Sequence, residues 1–207
     1  MQADTQEATA AALFERLPGL YVHPDRTREW LPELPAEIGL SLLKCERLIP
    51  RLSQIIAQHY RLTALEEDGG LDLSIGMLGF NSLVQVSRLA GAIFHARQIR
   101  MLISKPAIAA LFAGVEDWAH SYAMAQVEMA PPYGDGAEGT PPTEETIIQD
   151  GQLCFRAWLS ELSAPAAQRI ALKFPMDFET GPLPPVFEAY GPGIVRAAGR
   201  GLLDHDR

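Results

Sequence analysis

Helical periodicity dominates the chain: in segment after segment apolar residues recur at steps of three and four, the spacing of one face of a helix. A short first helix is expected over Thr5 to Leu17. Asp4 or Thr5 would cap it, Leu13, Phe14 and Leu17 are its apolar members, and Pro18 stops it because an internal proline loses a bond and clashes with the preceding turn. Residues 18 to 35 mix four prolines (Pro18, Pro24, Pro32, Pro35) with Tyr21, Val22, Trp30, Leu31 and Leu34. That is too apolar for a linker and too proline-rich for regular structure, so an ordered segment packed on the core is expected. From Ala36 to Leu62 the residues Ile38, Leu42, Cys45, Leu48, Ile49, Leu52, Ile55 and Ile56 form the stripe of an amphipathic helix, kinked or split by Pro50 near Ile49.

Asp68, Gly69 and Gly70 make a turn, and Asn81 to Ile103 predicts a central, largely buried helix in which Ser87, Ala90 and Gly91 permit close approach. Ser104, Lys105 and Pro106 open a short helix stopped by Gly114, and Val115 to Met129 continues helical, with Trp118, Tyr122 and Met129 inward and Glu116, Asp117 and Glu128 outward. A long loop over 130–142 follows. Thr143 then caps a helix to about Leu162 that carries Glu144 and Glu145 in its favourable first turn. Pro165 starts a shorter helix and Pro175 ends it. Beyond Thr180 the run of Gly181, Pro182, Pro184, Pro185, Gly191, Pro192 and Gly193 is expected to allow only short helical pieces. The fold class is therefore mainly α: a compact, irregular multi-helix domain over residues 1–207 with Pro-rich ordered segments, a Pro/Gly-rich tail from about 180 and no large sheet.

Composition sharpens this. With 207 residues and 47% apolar content, folding removes roughly 70% of the unfolded chain's surface from water, so neither disulfide nor metal is needed. Cys45 and Cys154 read as buried thiols. The longest uncharged stretches are too short for a membrane span, and the N-terminus has no signal-peptide pattern, which points to the cytoplasm. A net charge of -9 disfavours nucleic acid and anionic membranes as partners. Its distribution is uneven: from Pro106 to Phe155 there are eight acids (Glu116, Asp117, Glu128, Asp135, Glu138, Glu144, Glu145, Asp150) and no Lys or Arg. Such a stretch could be solvated surface or a docking face for a basic partner.

Candidate chemistry is sparse. The five histidines are far apart with no HExxH, the cysteines make no CxxC, and no phosphate-binding glycine loop or GxSxG elbow occurs, so no metal, cofactor or catalytic residue is expected. His23, Pro24 and Asp25 spell the tripeptide of J-domain co-chaperones, but that signature needs an intact preceding basic helix, and Pro18 and Gly19 interrupt it here. A structural role for His23, as a cap positioned by Pro24, is expected instead.

The same segment has another likeness. Leu17-Pro18, Tyr21-Val22-His23-Pro24 and then Trp30-Leu31-Pro32 resemble the amino-terminal signature of the SctK (YscK) family of bacterial type III secretion proteins, and Arg169, Leu172, Lys173 and Pro175 lie in a stretch similar to that family's carboxy-terminal motif. Five residues, Asp25 to Glu29, separate His23-Pro24 from Trp30, whereas the family pattern has a tighter HPxWLP spacing. The resemblance implies a non-enzymatic adaptor of the cytoplasmic sorting platform, joining the SctQ pods to the cytoplasmic domain of the inner-membrane ring protein SctD, and so peripheral to the inner membrane. It implies no cofactor. The competing class is a small helical enzyme or chaperone with an apolar groove lined by Trp118, Tyr122, Phe155 and Trp158, although aromatics that recur at helix spacing read first as core residues.

Overall fold

The computed structural model describes residues 2–65, 70–102, 111, 118–132, 142–179 and 181–205. Eleven α-helices run through them, with no strand among the described residues, in keeping with the mainly-α expectation. They are α1 (Gln2–Arg16), α2 (Thr27–Trp30), α3 (Ala36–Leu43), α4 (Ile49–His59), α5 (Leu71–Met77), α6 (Phe80–Phe94), α7 (Ala96–Ile99), α8 (Trp118–Ala125), α9 (Glu144–Glu161), α10 (Ala164–Ala171) and α11 (Pro185–His205). No helix among the described residues is long and apolar enough to cross a membrane. The chain divides into two compact units, Met1–Phe80 with Leu162–Gly181, and Asn81–Glu161 with Pro182–Arg207.

In the first unit α1 stops where Leu17 and Pro18 require it. The proline-rich segment is ordered as expected, running through 3₁₀ turns at Pro18–Leu20 and Pro24–Arg26 into α2. It is packed because its apolar members reach one cluster: Val22, Trp30, Leu52, Ile56 and Leu172 are buried together, with Tyr21, Leu31, Leu42 and Leu48 against them. The amide of Gly19 donates to Ser53 Oγ at 3.0 Å, tying the first turn to α4. The expected helix over 36–62 is two helices. α3 ends at Leu43, a 3₁₀ turn covers Glu46–Leu48, and α4 begins at Ile49. Pro50 therefore sits in the first turn of a new helix, where its missing N–H leaves no bond broken, instead of kinking an old one. α10 starts at Ala164 with Pro165 in its first turn, but it closes at Ala171, with Leu172 as its cap, before Pro175 is reached.

The second unit is built on long helices. α9 buries Ile147, Gly151, Cys154, Phe155, Ala157, Trp158 and Leu159, and α6 buries Leu83, Val86, Leu89 and Ile93. These two cross with their backbones in contact: a Cβ on Gly91 would lie 2.0 Å from the Ile147 carbonyl oxygen, and one on Gly151 would lie 2.1 Å from that of Ser87. α6 gives way after Phe94 to a break at His95 and the separate α7, so the expected helix over 81–103 is divided; Ile103 lies outside the described residues. Likewise α8 closes at Ala125 and Val127–Met129 is a 3₁₀ turn. Residues 103–110, 112–117 and 133–141, which carry the expected short helix from Ser104 and most of the expected loop, also lie outside the described residues.

The largest correction is at the carboxy terminus. Beyond 180 the chain forms α11, a helix of 21 residues with Pro192 inside it. Pro182 and Pro184 precede the helix and Pro185 opens it, so three of the four prolines break no helical bond. The glycines serve packing: a Cβ on Gly191 would meet Cys154 Cα at 3.0 Å and one on Gly201 would meet the Tyr122 ring at 2.5 Å. A burial advantage of this kind outweighs the roughly 1 kcal/mol helix penalty of each glycine.

Candidate functional site

Two places carry the sequence-derived candidates, and the first lies in the first unit. The segments bearing His23 and Lys173, far apart along the chain, form one junction. The amide of His23 donates to Leu172 O at 2.7 Å, and Arg26 Nε donates to Phe174 O at 2.8 Å. Trp30 packs with Leu172 in the core cluster, and its Nε1 is buried with no hydrogen-bond partner among the described residues. Leu31 is partly buried against that cluster and Pro32 is exposed. His23 is a cap, as expected: its Nδ1 accepts the amide of Asp25 at 3.3 Å at the head of the Pro24–Arg26 turn.

The cations of this junction are turned inward. Lys173, 3% exposed, donates from Nζ to Gly76 O at 2.7 Å and Leu78 O at 2.6 Å, at the end of α5, and lies 4.9 Å from the ring centre of Phe14 and 5.2 Å from that of Tyr21. Burial pushes its ammonium down to about 8. Arg169, also 3% exposed, donates to Pro165 O at 3.1 Å and to Glu15 O, in the last turn of α1. Each therefore satisfies carbonyls that a helix end leaves open, where positive charge is also favoured. Tyr21 donates to Phe14 O at 2.9 Å, and burial raises its phenol well above the ordinary range. Pro175 is half-buried in the turn that follows. Arg26 was not singled out by sequence reasoning; of the two arginines among the prolines and aromatics of 18–35, Arg26 follows His23-Pro24-Asp25 directly, and that is the signal that could have found it.

The acidic stretch lies in the second unit, and the described residues show part of it. Glu144 and Glu145 are exposed in the first turn of α9, whose start is capped as expected by Thr143 Oγ1 accepting the Thr146 amide at 3.1 Å. Glu145 also accepts from Gln149 Nε2 at 3.0 Å. Glu128 has an 88% exposed side chain, but Arg97 Nη2 stands 3.6 Å from it, so a base from α7 answers an acid that has none nearby in sequence. Asp150 is turned to His95, Oδ2 to Nε2 at 2.7 Å, while His95 Nδ1 contacts Gln98 Oε1 at 2.6 Å, so Asp150 does not join an acidic face. No sequence signal linked that pair across 55 residues. Glu116, Asp117, Asp135 and Glu138 lie outside the described residues.

The aromatics expected to line the alternative groove pair off as Trp118 with Tyr122 and Phe155 with Trp158. Phe155 and Trp158 are 0% exposed in the core, Tyr122 donates to Ala197 O at 2.8 Å, and Trp118 stacks on His205. Of the two thiols, Cys154 is buried and Cys45 only partly so, because Cys45 falls in the break between α3 and α4 rather than on a continuous helix stripe.

Over 163 residues the chain is 28% identical to nodulation protein NolU of Rhizobium fredii, an alignment covering 74% of this chain and 70% of that protein. NolU of Sinorhizobium fredii (strain NBRC 101917 / NGR234) matches with the same identity and coverage. No model of a protein family matches the chain. No solved structure matches it.

Proposed function

We propose that this chain is a non-enzymatic adaptor of a bacterial type III secretion sorting platform, linking SctQ pods to the cytoplasmic domain of the membrane-ring protein SctD and held at the inner membrane through that apparatus. One observation carries most of this reading. The two stretches that resemble SctK motifs meet in one packed junction, through His23 N to Leu172 O and Arg26 Nε to Phe174 O, so the likeness involves residues that build the fold together. Similarity to a nodulation protein of rhizobia points to the same kind of bacterium-to-host context. The exposed Glu144 and Glu145 give the adaptor a negative edge for a basic surface, which raises association rate more than affinity.

The test is binding of the purified chain to the purified SctD cytoplasmic domain and to SctQ. Wild-type protein is expected to bind both. Glu144→Lys with Glu145→Lys should slow association with SctD and leave the melting temperature nearly unchanged, since exposed charges contribute little to stability. Failure of the wild type to bind either protein would overturn the adaptor role. Normal binding by the double reversal over a range of salt would overturn only the acidic face.

A further inference from the structure

Within the first unit, α5 is strung loosely at both ends and fastened at one. It has seven residues, Leu71–Met77, too few for an isolated helix to keep its shape in water, so it is helical only while docked. Glycines flank it. Gly70 takes a φ of 137°, a conformation that side chains resist, and among the described residues nothing stands within 4 Å of where a Cβ would lie on Gly70 or on Gly79.

What holds α5 is near its carboxy-terminal end. Ile75 is fully buried, and Gly76 lies so close to Ile170 that a Cβ on it would meet Ile170 Cδ1 at 2.7 Å. Lys173 Nζ then takes the carbonyls of Gly76 and Leu78 at 2.7 and 2.6 Å, where the last turn of a helix leaves them open. The charge that makes this fastening is itself unfavourably placed. Its hydrogen bonds go to neutral carbonyls, and burial lowers its value from 10.5 to about 8. Around it, α1 presents the Phe14 ring and then Glu15, whose carboxylate accepts the Leu65 amide at 3.3 Å. The Pro18–Leu20 turn leads into Tyr21, whose phenol donates to Phe14 O; Arg169, one turn before Lys173, donates to Glu15 O; and α5 carries Asp72 in its own first turn.

We propose that α5 is a detachable strap latched by Lys173: it undocks as a unit between Gly70 and Gly79 while α1, α4 and α10 stay folded, and the proton on Lys173 sets how often it does so. With α5 displaced, the ammonium faces water and Ile170, 1% exposed when docked, is uncovered. The proton favours the open strap. A docked lysine that has lost it keeps two N–H groups, enough for the two carbonyls, and no longer buries a charge, so docking strengthens as pH rises from about 8 to 10.5.

Amide hydrogen exchange of the full chain, read by mass spectrometry where it reports the opening equilibrium, tests this. Peptides over 71–78 should open at least about tenfold more often than those of α4 and α10. After correction for the intrinsic pH dependence of exchange, their opening should fall about eightfold between about pH 7.5 and about pH 9. Lys173→Met cannot titrate and should remove that fall. Equal protection and an equal pH response in α5, α4 and α10 would mean that α5 leaves only by global unfolding, and would overturn the strap. Opening of α5 that is independent of pH in the wild type, or a fall that persists in Lys173→Met, would overturn the latch. The wild-type profile decides the question even where the methionine variant does not fold.

Discussion

The two units close their cores by different means. The first assembles short helices and proline turns, and the carbonyls that this leaves open inside are answered by cations: Lys173 on those of Gly76 and Leu78, Arg169 on that of Glu15, Arg26 on that of Phe174. The second packs long helices so closely that glycines replace side chains at the crossings, Gly91 on Gly151 and Gly191 on α9. Irregular structure multiplies open carbonyls and so needs buried donors. Regular structure satisfies its own backbone and needs only fit.

The largest effect should come from violating that fit. Gly91→Ala or Gly151→Ala would bring a methyl group within 2.0 or 2.1 Å of a carbonyl oxygen on the facing helix. Neither backbone can yield without separating α6 from α9, so a loss of more than about 4 kcal/mol is expected despite the gain in helix propensity. The denaturation midpoint measures it. An alanine variant as stable as the wild type would mean that the helices do not touch there.

The first unit is broken by a void. Trp30→Ala should cost about 3 to 5 kcal/mol, since the side chain is 7% exposed in the core cluster. Trp30→Phe should cost far less, because it keeps most of the ring volume and removes the unpartnered Nε1. A melting temperature unmoved by the alanine substitution would make the 18–35 segment a loose arm.

These two regions were not equally legible in the sequence. Periodicity finds helices, so α1, α9 and α10 stood close to their expected places. It misjudged α11, because prolines and glycines were weighed as breakers when Pro182, Pro184 and Pro185 precede or open the helix and Gly191 and Gly201 lie at contacts. It joined α3 to α4 because the apolar steps continue through Cys45 and Leu48 although the backbone does not. At the candidate site, His23 as a cap and an ordered Pro-rich segment were readable from residue types. The joining of residues 23–26 to 172–174 was not, since pairing over 148 residues leaves no local pattern. The resemblance supplied both halves of that junction without their contact.

Titration sharpens the contrast more gently. Lys173 has its folded value lowered from 10.5 to about 8 by burial. Between those limits the unfolded chain holds a proton that the folded chain has released, so stability from this group rises with pH over about 8 to 10.5. Cys154 acts in the opposite sense. Its folded value is raised above 9.0 by burial and by the Asp150 carboxylate, so the unfolded thiol ionises first and stability falls as pH rises past 9. Melts at several pH values should show the wild-type minus Lys173→Met difference climbing from pH 8 and the wild-type minus Cys154→Ala difference declining above pH 9. A flat lysine difference would place its ammonium in water rather than against Phe14 and Tyr21.

The smallest effect is expected at the cap. His23 Nδ1 accepts the Asp25 amide over 3.3 Å in a single exposed turn, a weaker arrangement than a capped α-helix, while the neighbouring Thr27 Oγ1 donates to Pro24 O and holds the same turn from below. His23→Ala should therefore cost about 0.5 to 1 kcal/mol, the low end for losing a cap. His23→Asn or His23→Asp, whose side chains carry an acceptor oxygen, should recover most of it. The same series separates capping from ring packing, because neither replacement restores the contact with Phe80. Recovery of stability by asparagine would assign the nitrogen, rather than the ring, to the turn. Loss that neither asparagine nor aspartate repairs would mean that the ring, packed on Phe80, is what His23 contributes to the fold.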